Sequence, residues 1–119
     1  MHISMQDNTY RKQSWYEWED IAQALYESHG YSCKDKNFTI RGGEIDLIME
    51  NDVNIIFVEC KVVNYVENLH DYITPKKLQA LRHAIDTYLW KYPTQKNVRV
   101  DIVFIKHKEV VEIYKDVEL

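Results

Sequence analysis

Cysteine is scarce in this sequence. Its 119 residues include two, Cys33 and Cys60, too few for a disulfide framework and in no CxxC or Cys/His spacing that suits zinc. Reduced, buried thiols are expected. Long hydrophobic runs are absent too: nothing approaches the roughly 18 to 20 apolar residues of a membrane span, and residues 1–13 are polar, without a leader's hydrophobic segment or cleavage pattern. The expectation is a soluble, cytoplasmic chain with no membrane partner and no small-molecule cofactor. Positive charge is not in excess either. Fifteen Lys plus Arg against 19 Asp plus Glu leave a net charge of −4, which taken alone argues against a nucleic-acid binder. The histidines show no ligand spacing, and there is no internal repeat or low-complexity segment.

What is present is one domain's worth of patterned chain. Residues 1–13 lack periodicity and read as a flexible tail; residues 14–119 read as a single domain. Ser14 and Glu17 form a capping-box pair, and Trp15, Trp18, Ile21, Ala22, Leu25 and Tyr26 recur at helical spacing until Gly30. Residues 31–40 read as an outer strand. Residues 44–49 and 53–63 flank a turn and predict a hairpin, with Ile55 to Val58 apolar on both faces and therefore central. Thr74 and Pro75 supply an N-cap and a first-turn proline for a second helix, whose stripe is Leu78, Leu81, Ala84, Ile85, Tyr88 and Leu89, ended by Pro93. Strands at 98–105 and 110–114 follow. The order α-β-β-β-α-β-β, with a crossover between residues 53 and 105, implies a mixed sheet of about five strands flanked by two main helices.

The informative positions are charges where burial is expected. Alternation places Val53, Ile55, Phe57, Glu59, Lys61 and Val63 on one face, and two of these six are ionised. Burying them uncompensated costs several kcal/mol each, so they need partners or an ion. A two-residue turn at Asn51 and Asp52 would set Asp46 opposite Phe57 and Glu44 opposite Glu59, with Asp46 diagonal to Glu59. Glu44, Asp46, Glu59 and Lys61 would then crowd one side of the sheet. Crowded carboxylates either raise one another's pKa or bind a cation, and magnesium accepts one or two carboxylates while keeping positions for water and phosphate. The plainer alternative is a Glu44–Lys61 sheet salt bridge, with Asp46 and Glu59 at an exposed strand end.

The segments Gly43-Glu44-Ile45-Asp46-Leu47-Ile48 and Phe57-Val58-Glu59-Cys60-Lys61 resemble the GEIDLI and FVEVK motifs of the YraN-like, Holliday-junction-resolvase-related family within the PD-(D/E)XK nuclease superfamily, as does the thirteen-residue interval from Asp46 to Glu59. Agreement extends to Glu19, Ala22 and Gly30, to Asn37 and Arg41, to Lys77, Leu81, Tyr88 and Leu89, and to residues 99–103. The resemblance implies a restriction-endonuclease-like core and a metal-dependent endonuclease cutting DNA, branched or otherwise structured, as a homodimer. It makes Asp46 and Glu59 metal-binding acids for Mg²⁺ or Mn²⁺, with Glu19 and Glu44 as further acids of the site. Lys61 would position or activate water, or stabilise the developing charge, and Lys77, Arg41 and Lys76 would contact DNA.

Each assignment has a plainer counterpart. Glu19 sits at the border of the first helix's apolar stripe, where a glutamate can simply be solvated, and Lys77 can be a snorkelling lysine beside Lys76. Val63 stands where the family usually has arginine, and residues 64–72 contain Glu67 and Asp71 but no lysine or arginine. These departures leave a second expectation open, a non-catalytic nucleic-acid-binding or partner-binding module that keeps the nuclease fold. The four carboxylates Glu19, Glu44, Asp46 and Glu59 together account for the whole net charge of −4.

Overall fold

The computed structural model describes residues 18–119. The expected tail, the Ser14/Glu17 capping pair and Trp15 lie outside the described residues. Within them the first helix, α1, occupies 18–28 and is followed by Gly30 at φ 88°, a left-handed conformation that glycine adopts without a Cβ clash. Three strands follow, β1 (Ser32–Ile40), β2 (Gly43–Glu50) and β3 (Asn54–Val62), then a 3₁₀ turn (Leu69–Tyr72), helix α2 (Pro75–Lys91), and strands β4 (Asn97–Lys106) and β5 (Glu109–Tyr114). The sheet runs β1-β2-β3-β4-β5. Every neighbouring pair is antiparallel except β3 and β4, which are parallel and joined through α2.

β3 is the central strand, and Ile55, Ile56, Phe57 and Val58 are at most 1% exposed. Its two faces feed different cores. Ile55 and Phe57 pack with Ile48, Leu81, Ala84, Ile85 and Tyr88 beneath α2, whereas Ile56 and Val58 pack with Leu47, Met49, Ala22 and Tyr26 beneath α1. A continuous apolar run is what a strand covered by helices on both sides requires. α2 begins where Thr74 accepts the Lys77 N–H, with Pro75 in the first turn. Leu78 departs from the expected stripe, joining a third cluster with Val63, Leu69, Ile102 and Phe104 under the loop that precedes α2.

Two expectations about β2 and β3 need correction. The hairpin turn is centred on Asp52 and Val53, one residue beyond Asn51-Asp52. Asn51 Oδ1 accepts the Val53 and Asn54 amides at 3.0 and 2.7 Å, while the Asn51 N–H donates to the Asn54 carbonyl. That Asx-type closure makes Asn51 the residue before the turn. Glu50 accordingly pairs with Ile55 and Leu47 with Val58, so the register directs Asp46 toward Glu59 instead of Phe57, and Glu44 toward Lys61 instead of Glu59. The slip is by two residues and leaves the faces unchanged.

Strict alternation also fails along β2. Ile45 and Ile48 both pack beneath α2, while Leu47 and Met49 pack beneath α1. The phase changes at Asp46. On β1 the residue beside it in register is Asn37, which has φ 51°, a left-handed conformation asparagine tolerates better than most residues. The thiols differ from expectation as well, since Cys33 and Cys60 are free but only half-buried.

The α1 face of the sheet is tied by Asp101, which is fully buried in β4 beside Val58. It accepts Arg99 Nε and Nη2 at 3.0 and 2.9 Å, the Tyr26 hydroxyl from α1, and the Asp116 N–H. Every partner is a donor, so the carboxylate is compensated where it is buried. Burial, then the Asp101 carboxylate, pushes the Tyr26 hydroxyl far above its usual pKa. No helix among the described residues is long and apolar enough to cross a membrane.

Candidate functional site

The phase change in β2 and the end of the β2–β3 pairing coincide. Regular pairing stops at Leu47 and Val58. One step beyond, where a continuing ladder would offer Cys60 a backbone carbonyl, its N–H donates instead to Asp46 Oδ2 at 2.8 Å. The strands part there, and a cleft of about 320 Å³ opens between them and α2. Glu44, Asp46, Glu59, Lys61 and Lys77 line it, with Cys60, Ala80 and Leu81 closing its walls.

Of the residues singled out in the sequence, these five are brought together. Glu59 and Lys61 are on β3, Glu44 and Asp46 on β2, and Lys77 on the first turn of α2. Gly43 allows the approach: a Cβ built there would lie 2.4 Å from the Ala80 carbonyl oxygen, so only glycine lets β2 meet α2 this closely. Arg41, in the turn after β1, and Lys76 are exposed and do not line the cleft. Glu19 is not in its wall either. It lies on α1, half-buried, and accepts a hydrogen bond from Asn37 Nδ2 at 2.9 Å. Burial raises its pKa, and the Asp46 and Glu44 carboxylates add to that rise.

The electrostatics follow from crowding. The Glu59 side chain is 19% exposed and that of Lys61 15%, their charged atoms 4.0 Å apart. Burial first, then a hydrogen bond with the Asp46 carboxyl and that group's charge, push the Glu59 pKa up to about 9. Two carboxyls this close cannot both ionise cheaply without a cation. Glu44 is raised by burial and by Asp46. Lys61 is lowered, chiefly by burial and then by the adjacent Lys77 ammonium. The Glu44–Lys61 salt bridge considered from the sequence is not among the ion pairs of the described residues, where Lys61 instead pairs with Glu59.

An oxygen-only carboxylate pair suits a hard divalent ion, whose charge would offset the crowding that raises Glu59. Among the described residues no three His, Cys, Asp or Glu side chains gather into a cage. Magnesium is ordinarily held by one or two carboxylates with water and phosphate completing its shell. Asp46 and Glu59 therefore fit it, whereas Glu19 and Glu44 stand back from the pair.

Sequence reasoning missed three contributors. The Cys60 amide orients Asp46, Asn37 orients Glu19, and the Tyr26–Asp101–Arg99 group joins α1 to β4. Only the second had a readable signal, an asparagine placed where a strand changes hand.

Residues 18–105 match a family described as uncharacterised protein family UPF0102. A UPF0102 protein of Campylobacter hominis is 31% identical over 104 residues, spanning 87% of this chain and 92% of its own. One from Nitratiruptor sp. is 32% identical over 101 residues, spanning 85% and 88%, and one from Cytophaga hutchinsonii is 32% identical over 103 residues, spanning 85% and 91%. The matched stretch takes in Glu19, the whole carboxylate cleft and nearly all of β4, and by it this chain belongs to the UPF0102 family.

Proposed function

We propose that the cleft hydrolyses phosphodiester bonds in DNA with the help of a divalent ion, Mg²⁺ or Mn²⁺, on a restriction-endonuclease-like, PD-(D/E)XK core. The observation that carries this reading is the gathering of Asp46 and Glu59 with Lys61 and Lys77 in one cleft, the Cys60 amide fixing Asp46 at 2.8 Å where β2 and β3 part. The likeness of the GEIDLI and FVEVK segments to resolvase-related nucleases supports it.

Asp46 and Glu59 would hold the ion. When bound, it supplies Lewis-acid stabilisation of charge on phosphate oxygens and a more acidic water. The chain's own residues do the rest. The Cys60 N–H fixes the Asp46 carboxylate, so its oxygens meet the ligand without reorganising. Lys61, its pKa lowered by burial and by Lys77, holds the attacking water by hydrogen bond and offsets charge developing on the phosphate. Lys77 adds a second cation at the N-terminus of α2, the positive end of the helix dipole.

The acidic total and the base-free stretch 64–72 favour a second reading, a binding module without hydrolysis. Glu59→Ala separates the two when DNA affinity and cleavage are measured on the same preparation. An enzyme loses metal-dependent cleavage by about 10²-fold or more, the scale of losing one charge-stabilising group, while affinity in chelator is kept. A binding module has no metal-dependent cleavage to lose.

A further inference from the structure

The connection between β3 and α2 leaves the cleft carrying aromatic and aliphatic surface outside any core. Tyr65 is 69% exposed, Val66 47% and Val62 45%. The loop around them is well anchored. Val63 and Leu69 are buried with Ile102 and Phe104, the Val63 N–H donates to the Ile105 carbonyl, and the Tyr72 hydroxyl accepts the amides of both Asn64 and Tyr65 at 3.3 and 3.4 Å. Its anchors are thus in the core while its tip is held in water.

Resting on the hydrolytic reading above, we propose that this tip selects unpaired nucleic acid, Tyr65 stacking on a base of the strand whose phosphate lies in the cleft and Val66 widening that platform. Tyr65 lies four positions beyond Lys61, a reach of at most about 14 Å along an extended chain, so both can engage one strand. Residues 64–75 contain no lysine or arginine, while Glu67 and Asp71 are acidic. The loop therefore lacks the fixed positive charge that grips a phosphate backbone, and its exposed Tyr65 ring offers a base face instead. In a duplex those faces are covered by their neighbours; in a single strand, gap or splayed end they are open, and every base offers one. Lys61 and Lys77 hold the phosphate, and the loop reads whether the adjoining base is free.

The test compares the full chain with Tyr65→Ala and Tyr65→Phe, checked for equal melting temperature. Affinity is read by fluorescence anisotropy in chelator, and cleavage in Mn²⁺, on a labelled single strand and on its fully paired duplex. The expected result is a loss of roughly 5- to 150-fold in single-strand affinity for Tyr65→Ala, the range one stacked base supplies. Duplex affinity changes less than about twofold, and Tyr65→Phe behaves as the parent. If the parent cuts DNA and Tyr65→Ala binds both substrates as the parent does, the inference is overturned and the hydrolytic reading stands. The same holds if Tyr65→Ala instead alters only the sedimentation mass of the protein, which assigns the tip to a contact between copies. If Tyr65→Ala loses single-strand affinity but the parent never cuts, the inference stands and hydrolysis falls. A parent that binds no DNA overturns both.

Discussion

Glu59 concentrates the argument at the scale of the residue. Its pKa, pushed up to about 9 by burial and by Asp46, makes the neutral form the favoured one in the metal-free fold. A raised acid contributes stability fully below its unfolded value and loses it as pH rises through the folded one. In chelator the melting temperature should therefore fall from about pH 4.5 to about 9, and Glu59→Gln should flatten that fall. A divalent ion prefers the ionised pair, so the stabilisation it brings should grow with pH. Ion at about 100 times its dissociation constant would add about 2.7 kcal/mol. Calorimetry with and without Mn²⁺ at several pH values checks both signs. Asp101 makes the contrasting case, a buried carboxylate with a full set of donors. Asp101→Ala strands Arg99 and the Tyr26 hydroxyl on the α1 face and should cost about 3 to 5 kcal/mol in urea unfolding.

At the scale of the element, β2 does the positioning. Gly43 lets it touch α2, and a methyl there meets the Ala80 carbonyl, a backbone atom that cannot rotate away. Gly43→Ala should therefore destabilise the fold by about 1 to 3 kcal/mol, seen as a lower urea midpoint at unchanged slope. At the start of α2, Thr74→Ala removes the cap on the Lys77 amide and should cost about 1 kcal/mol. The elements themselves were legible because each carries its own punctuation, Gly30 after α1, Thr74 and Pro75 before α2, and a doubly apolar β3. The register was not. Asn51 and Asp52 are both good turn residues, and the choice between them rests on which atoms the Asn51 side chain accepts, a geometric fact that residue type does not encode. The change of phase at Asp46 was hidden for a similar reason, since a period of two cannot show where a strand twists out of it.

For the whole molecule, the sheet presents two dissimilar faces. The α1 face is closed by the satisfied Asp101 group, and the α2 face opens where β2 and β3 separate and acids and lysines face each other. The sequence shows the second face as misplaced charge, and Glu44, Asp46, Glu59, Lys61 and Lys77 do meet there. It could not show how Asp46 is held, because the Cys60 amide that fixes it is freed by the parting of two strands rather than by their patterns. Arg41 and Lys76, equally basic on paper, stay outside the cleft since nothing packs them toward it. The central claim is that the acid pair and its lysines cut DNA with a divalent ion. The most direct measurement incubates labelled single-stranded, duplex, flap and four-way-junction DNA with the protein in Mg²⁺, in Mn²⁺ and in chelator, beside Lys61→Ala purified identically. Cuts that appear only with the ion and fade by about 10²-fold or more in Lys61→Ala are the predicted result; equal cutting by both preparations, or none on any substrate in either metal, would contradict the account.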